Sequence, residues 1–450
     1  MLALRLTRGS HPAVQLRRLL VAVASAGTGF LLLCTLGYAM GHPDSPAAAA
    51  LRLAWCATPL AATVYFAVAV ARTDPATKPR PGLSAIGLGP GRLMAISATT
   101  TALACTLGSM LALLFFLHLR GDLTGMPFDG AAAEFLASDT PLPLPAALTL
   151  LAIVPATASV SVALTLRPKD TSPKSTPRSY GRFGAYGRSG TRETFGTYGR
   201  FGAHLRTGGR KAEVEETPTP APEPAADAEP TATVTGPVDL DPTRPPAPRE
   251  VPKGLPWGVA VLAAGLAVEA YANRTADTDG LSMPGGHAGG PAGVLAGWVL
   301  TALGLALAGP GLTHLCGRLL QAVRPGALRL LAGRVLMEEA TRIGRPLGVV
   351  CAVASGAYAM TALYDTDAAV GPLTTLGTLL VTGCTVATLL TAAVEARQAR
   401  ADTTAALVRL GAPATVLRSA AALRAGALLA LFVPLTVVIA ELAALPLAHR

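Results

Sequence analysis

Residues 93–117 read LMAISATTTALACTLGSMLALLFFL, and no charged side chain interrupts them. Twenty apolar residues wound as a helix cross the ~30 Å hydrocarbon core of a bilayer, so this run is long enough to span it. The rest of the chain follows the same rule. Of its 450 residues 51% are hydrophobic and only 14% are charged, and the mean hydropathy is +0.46. A soluble domain carries about 25% charged residues, so the deficit points to lipid as the solvent. Nine comparable runs are read: 19–40, 53–71, 93–117, 141–166, 256–272, 292–312, 346–363, 369–394 and 420–444. The expected fold is an all-α polytopic membrane protein of about nine transmembrane helices. The apolar run after Arg17 and Arg18 is too long for a signal-peptide core, and no cleaved leader is expected.

The net charge of +10 invites a nucleic-acid reading, but the positions of the charges argue against one. With the N-terminus in the cytoplasm, the segments 1–18, 72–92, 167–255, 313–345 and 393–419 face inward and hold 32 of the 37 Lys and Arg residues. Arg424 stands at the inner end of the last run, while Arg52, Arg120, Arg274 and Arg450 lie near outer ends. The outer loop 118–142 carries Asp122, Asp129, Glu134 and Asp139 instead. Such asymmetry is the positive-inside pattern. The basic balance therefore reports topology in a cytoplasmic (inner) membrane, and no nucleic-acid partner is expected.

Two membrane blocks emerge, 1–166 with four helices and 256–450 with five, joined by the polar tract 167–255. YGRFGA occurs in that tract at 180–185 and again at 198–203; after Lys211 the composition turns to Glu, Pro and Ala. Neither half holds the apolar residues a core needs, so a disordered cytoplasmic tether is expected. Its positive charges would be drawn to an anionic leaflet, and this reading is preferred to RNA contact through Arg, Tyr and Phe.

A short pattern recurs across the two blocks. LSAIGLGPGRLMAIS stands at 83–97 and LVRLGAPATVLRSAA at 407–421, each between two apolar runs. The first and seventh runs both contain AVAS, at 22–25 and 352–355, behind a basic lead. The order helix, outer loop, helix, cytoplasmic loop, helix thus repeats in 17–117 and 341–444, with 256–312 as an additional hairpin. Two copies in one orientation are the mark of an internal repeat.

The second loop, with Arg409, Leu410, Gly411 and Ala412 followed by Arg418, resembles the cytoplasmic loop of FtsX/MacB-like permeases of ABC transporters. Ile86, Gly87 and Arg92 form a degenerate first copy without the leading Arg. The resemblance covers the two three-helix blocks, about half of the chain. It implies that these loops dock on a separate cytoplasmic ABC ATPase, and that a complex needs two loop sets, from one duplicated chain or from a homodimer. Two departures stand out: the outer loops 41–52 and 364–368 leave no room for the extracytoplasmic domain of typical members, and a fourth helix is missing from the second repeat.

The loop chemistry suits that role. Gly411 can take a left-handed conformation and end a helix, and Pro413 suits the start of the next. Val416, Leu417 and Ala420 then form an apolar stripe with Arg418 beside it, so a short helix lying across the membrane surface is expected after Pro413.

Catalytic motifs are not found. The sequence has no GxxxxGK[ST] phosphate loop, so ATP is left to another chain. No His pairs with Cys or a carboxylate at metal-ligand spacing, and the six cysteines stand apart as small packing residues. No cofactor and no enzymatic activity of the chain itself are expected. Glu269 is the one carboxylate read as lying clearly within a span; being near the outer end, it is expected to reach water rather than couple an ion. GVLAG at 293–297 matches GxxxG, a helix-packing pattern.

Overall fold

The computed structural model describes residues 12–74, 89–123, 130–167, 252, 254–275, 292–322, 326–363 and 371–448. Ile86, Gly87, all but a few residues of the tract 167–255 and the outer loop 364–368 lie outside them. Every regular element among the described residues is an α-helix. In chain order these are α1 (Pro12–Gly41), α2 (Pro46–Trp55), α3 (Ala57–Thr73), α4 (Pro90–Arg120), α5 (Leu144–Leu166), α6 (Gly254–Thr275), α7 (Ala292–Ala322), α8 (Ala327–Leu363), α9 (Pro372–Ala399), α10 (Ala401–Arg409) and α11 (Ala414–Ala448). Counting α2 and α3 as one span, nine among the described residues are long and apolar enough to cross a membrane. The architecture is that of a multi-pass membrane protein.

The helices outrun the apolar runs that predict them. Helix α8 continues for 37 residues from Ala327, roughly 55 Å at 1.5 Å per residue, although its charge-free run begins only at 346. Charge alone does not break a helix, so the Arg-bearing lead is helical too, and the winding runs on through Pro346 into the apolar zone. At the other end of the bundle, most of the presumed loop 41–52 is helical, because Pro46 opens α2 at its first turn and a run of alanines follows.

The two three-helix blocks pack alike. Helix α1 lies against α4 and α3, and α8 lies against α11 and α9 in the same order. The recurring AVAS falls on the buried side each time: Ser25 is fully buried and Ser355 nearly so. Ser25 Oγ donates to the Cys105 carbonyl of α4 at 2.9 Å, across the α1–α4 seam where Gly108 leaves room. The blocks meet chiefly through α3 and α9, the second helix of each. Thr28 and Thr63 share a 2.8 Å hydroxyl bond there, and Thr63 Oγ1 lies 3.9 Å from Cys384 Sγ of α9. Lipid tails are as apolar as Leu, so small side chains and Ser/Thr bonds hold such seams better than bulk does.

Helices α6, α7 and α8 form the tightest part of the molecule. Along the α6–α7 hairpin, Leu255 faces Gly311, Gly258 faces Ala308, Leu262 faces Gly304, Gly265 faces Thr301 and Glu269 faces Gly297. The steps alternate between three and four residues, the spacing of a left-handed antiparallel coiled coil with glycines in the seam. A Cβ on Gly304 would stand 2.5 Å from the Leu262 nitrogen, so the contact is backbone on side-chain-free backbone. The GxxxG match at 293–297 is only the outermost step of this seam. Helix α8 joins it through Gly344, which lies against Gly309 and Pro310.

Candidate partner-docking surface

The second repeat presents its candidate residues on a projecting tip. Helix α9 ends at Ala399, and after Arg400 the nine-residue α10 runs to Arg409 with no buried residue. Gly411 then takes φ +87°. Its N–H bonds the Val408 carbonyl and that of Ala412 bonds the Leu407 carbonyl, both at 3.0 Å. This is a Schellman closure, and its left-handed residue falls to glycine because a Cβ there would crowd the backbone. The turn sends the chain into α11, whose first turn Pro413 caps by accepting from the N–H of Val416 at 3.0 Å.

The short helix is therefore α10, before the glycine. The expected helix after Pro413 does not form separately, because ATVLRSAAALRAGALL has no breaker and winds directly into the last span. The sequence signal for α10 lay in ADTTAALVR, whose polar first half masked it. Arg409, Leu410, Gly411 and Arg418 are exposed and Ala412 is half-buried. Leu410 is 84% exposed and Val408 55%. Single exposed leucines are ordinary, but here two apolar side chains crown one tip with a basic residue between them.

The tip stands on a charged base. Arg400 Nε lies 2.5 Å from Glu339 Oε1 of α8, and the carboxylate is almost wholly buried. Arg342 and Arg424 lie in the field of the same carboxylate. Charge on two sides ties α8, the α9–α10 joint and α11 together below the tip. The first repeat has a tie between the corresponding two helices with polarity reversed: Arg18 of α1 pairs with Asp74 just past α3, and Arg17 donates to Thr73 Oγ1 at 3.4 Å.

Of the first-copy residues, Ile86 and Gly87 lie outside the described residues, while Arg92 is exposed in the first turn of α4. That helix begins with Gly89 and Pro90, the proline at its first turn, much as Pro413 precedes α11.

Other chemistry finds no assembly. All six cysteines are free and buried, and no group of His, Cys, Asp and Glu suited to a metal occurs among the described residues. Glu269 corrects its expectation: it is fully buried, not open to water. It faces α7, where Trp298 Nε1 donates to its Oε1 at 2.7 Å. Compared with family models, with curated proteins and with solved structures, the chain matches none of them.

Proposed function

We propose that the chain is the membrane-spanning permease subunit of an FtsX/MacB-like ABC transporter, moved by a separate cytoplasmic ATPase. The observation that carries the reading is the α10 tip, an exposed Val408–Arg409–Leu410 crown closed by the left-handed Gly411 and braced by the Glu339–Arg400 pair. An apolar and basic projection at the basic end of a helical bundle suits insertion into a cleft of a soluble partner. The brace joins that projection to α8 and, through α8, to the rest of the second block. The skewed Lys and Arg distribution supports placing this end, the N-terminus and the tract 167–255 in the cytoplasm. Two tips are needed for an ATPase dimer; the degenerate first loop or a second copy of the chain would supply the other.

The test is co-purification with a candidate ABC ATPase from membranes. Leu410→Asp combined with Arg409→Glu is expected to abolish retention while membrane levels stay as in the parent protein. Undiminished retention would overturn the docking reading and favour the alternative, an eroded permease that serves as a structural or regulatory scaffold.

A further inference from the structure

Glu269 has no place in the docking reading, and its surroundings are built rather than incidental. Its side chain is fully buried between α6 and α7 within the span. Oε1 accepts the Trp298 indole N–H at 2.7 Å, and Oε2 has no hydrogen-bond partner. One turn along the same seam Thr301, 6% exposed, has an equally unpartnered hydroxyl beside Gly265. Gly297 brings the α7 backbone against the base of the Glu269 side chain: a Cβ there would lie 2.8 Å from the Glu269 Cβ. The helices thus close around a carboxyl group half of which is satisfied.

Among the described residues no cation compensates it, and no ion pair reaches Glu269. Helix α7 offers no titratable side chain from Ala292 to Ala308. On α6 itself, Tyr271 and Arg274 are exposed. On α11, which also packs against α6, the carboxylate of Glu441 is engaged by Tyr358 of α8 at 2.8 Å. A buried carboxylate without a counter-charge is strongly disfavoured even after relaxation. Ionisable groups within spans mark ion and proton paths more often than packing.

We propose that Glu269 is a reversible proton-binding site inside the membrane. The proton comes from water at the nearer surface and binds Oε2, the oxygen that has no hydrogen-bond partner. Trp298 holds the other oxygen and fixes the orientation of the group. Release of the proton leaves an uncompensated charge on the glycine-lined contact, so protonation is linked to the closure of α6 on α7. This inference stands apart from the ATPase reading and would survive its failure.

The experiment is infrared difference spectroscopy between acid and alkaline pH on the full chain in lipid vesicles. Over the absorption of the other carboxyl groups, the parent protein is expected to show a distinct carboxylic C=O band, sensitive to deuterium, that is absent from Glu269→Gln. Gln keeps an acceptor for Trp298 and so preserves the fold. Trp298→Phe, which removes the bond to Oε1, should keep the band but move it to higher frequency. Identical difference spectra for the parent and Glu269→Gln would overturn the proposal. So would a band that vanishes in Glu269→Gln but does not move in Trp298→Phe, because the indole would then not be orienting the titrating group.

Discussion

Gly411 and Gly426 make a matched pair on which the docking tip can be tested without any partner. Beyond the local backbone, neither glycine has an atom within 4 Å of where a Cβ would stand. Gly411 has φ +87°, whereas Gly426 lies inside α11. A Cβ meets no tertiary neighbour at either place, so what separates the two is the local backbone conformation. A β-branched residue at positive φ is a strong outlier, so Gly411→Val is expected to cost the turn about 1–3 kcal/mol. That lowers the population of the closed turn by roughly 5- to 150-fold, since ~1.4 kcal/mol is a factor of ten. Gly426→Ala instead replaces a poor helix former by the best one and should stabilise α11 by about 0.5–1 kcal/mol. The assay is amide hydrogen exchange in lipid vesicles, read at Gly411 (Val in the variant) and Ala412, whose N–H groups close the turn. Protection at both amides should fall in Gly411→Val and persist in Gly426→Ala, with exchange in α8 and α9 unchanged. Equal protection in the two variants would refute the argument that the turn is held by a left-handed glycine.

The α6–α7 seam predicts that Gly304→Val, whose Cβ would press on the Leu262 backbone, lowers the melting temperature by an overpacking cost of about 1–3 kcal/mol or more. Gly377→Ala, inside α9 with its nearest neighbour Leu31 Cδ1 at 3.9 Å, should not lower it and should raise it slightly, as Ala replaces Gly in a helix. For the brace, Glu339→Arg and Arg400→Glu should each loosen the tip, and the double swap should recover a coupling of roughly 0.5–3 kcal/mol in a double-mutant cycle. Protease resistance of 401–413 is the readout. Topology is checked by a cysteine at Val408 in intact cells. The six natural thiols are buried and give little background, and labelling should require opening of the membrane.

The fold was legible where chemistry is uniform along the chain. Long apolar runs, seven of them free of charge, mark the nine spans because lipid disfavours charge on every face of a helix. Their ends were not legible, because Arg-bearing turns such as 327–345 stay helical once outside the apolar zone, and charge alone does not break a helix. Gly411 was readable as a helix terminator, since positive φ leaves few alternatives. The helix it terminates was not, because α10 is half polar and stands free of the packing that betrays other helices. Glu269 shows the limit most plainly. Its distance from the end of its own span suggested water, but its burial is set by Gly297 and Trp298 some thirty residues on. The alternating three- and four-residue spacing of Gly297, Thr301, Gly304, Ala308 and Gly311 was the signal that could have located that seam.

The most direct measurement of the central claim is photo-crosslinking from position 410 in living cells. A photoreactive residue replacing Leu410, 84% exposed at the crown of the tip, is compared with one replacing Leu429, 63% exposed on the apolar run of α11. The expected result is an adduct at 410 with a polypeptide carrying an ATP-binding phosphate loop, and only lipid adducts at 429. Lipid adducts at both positions, with no ATPase captured at 410, would contradict the account.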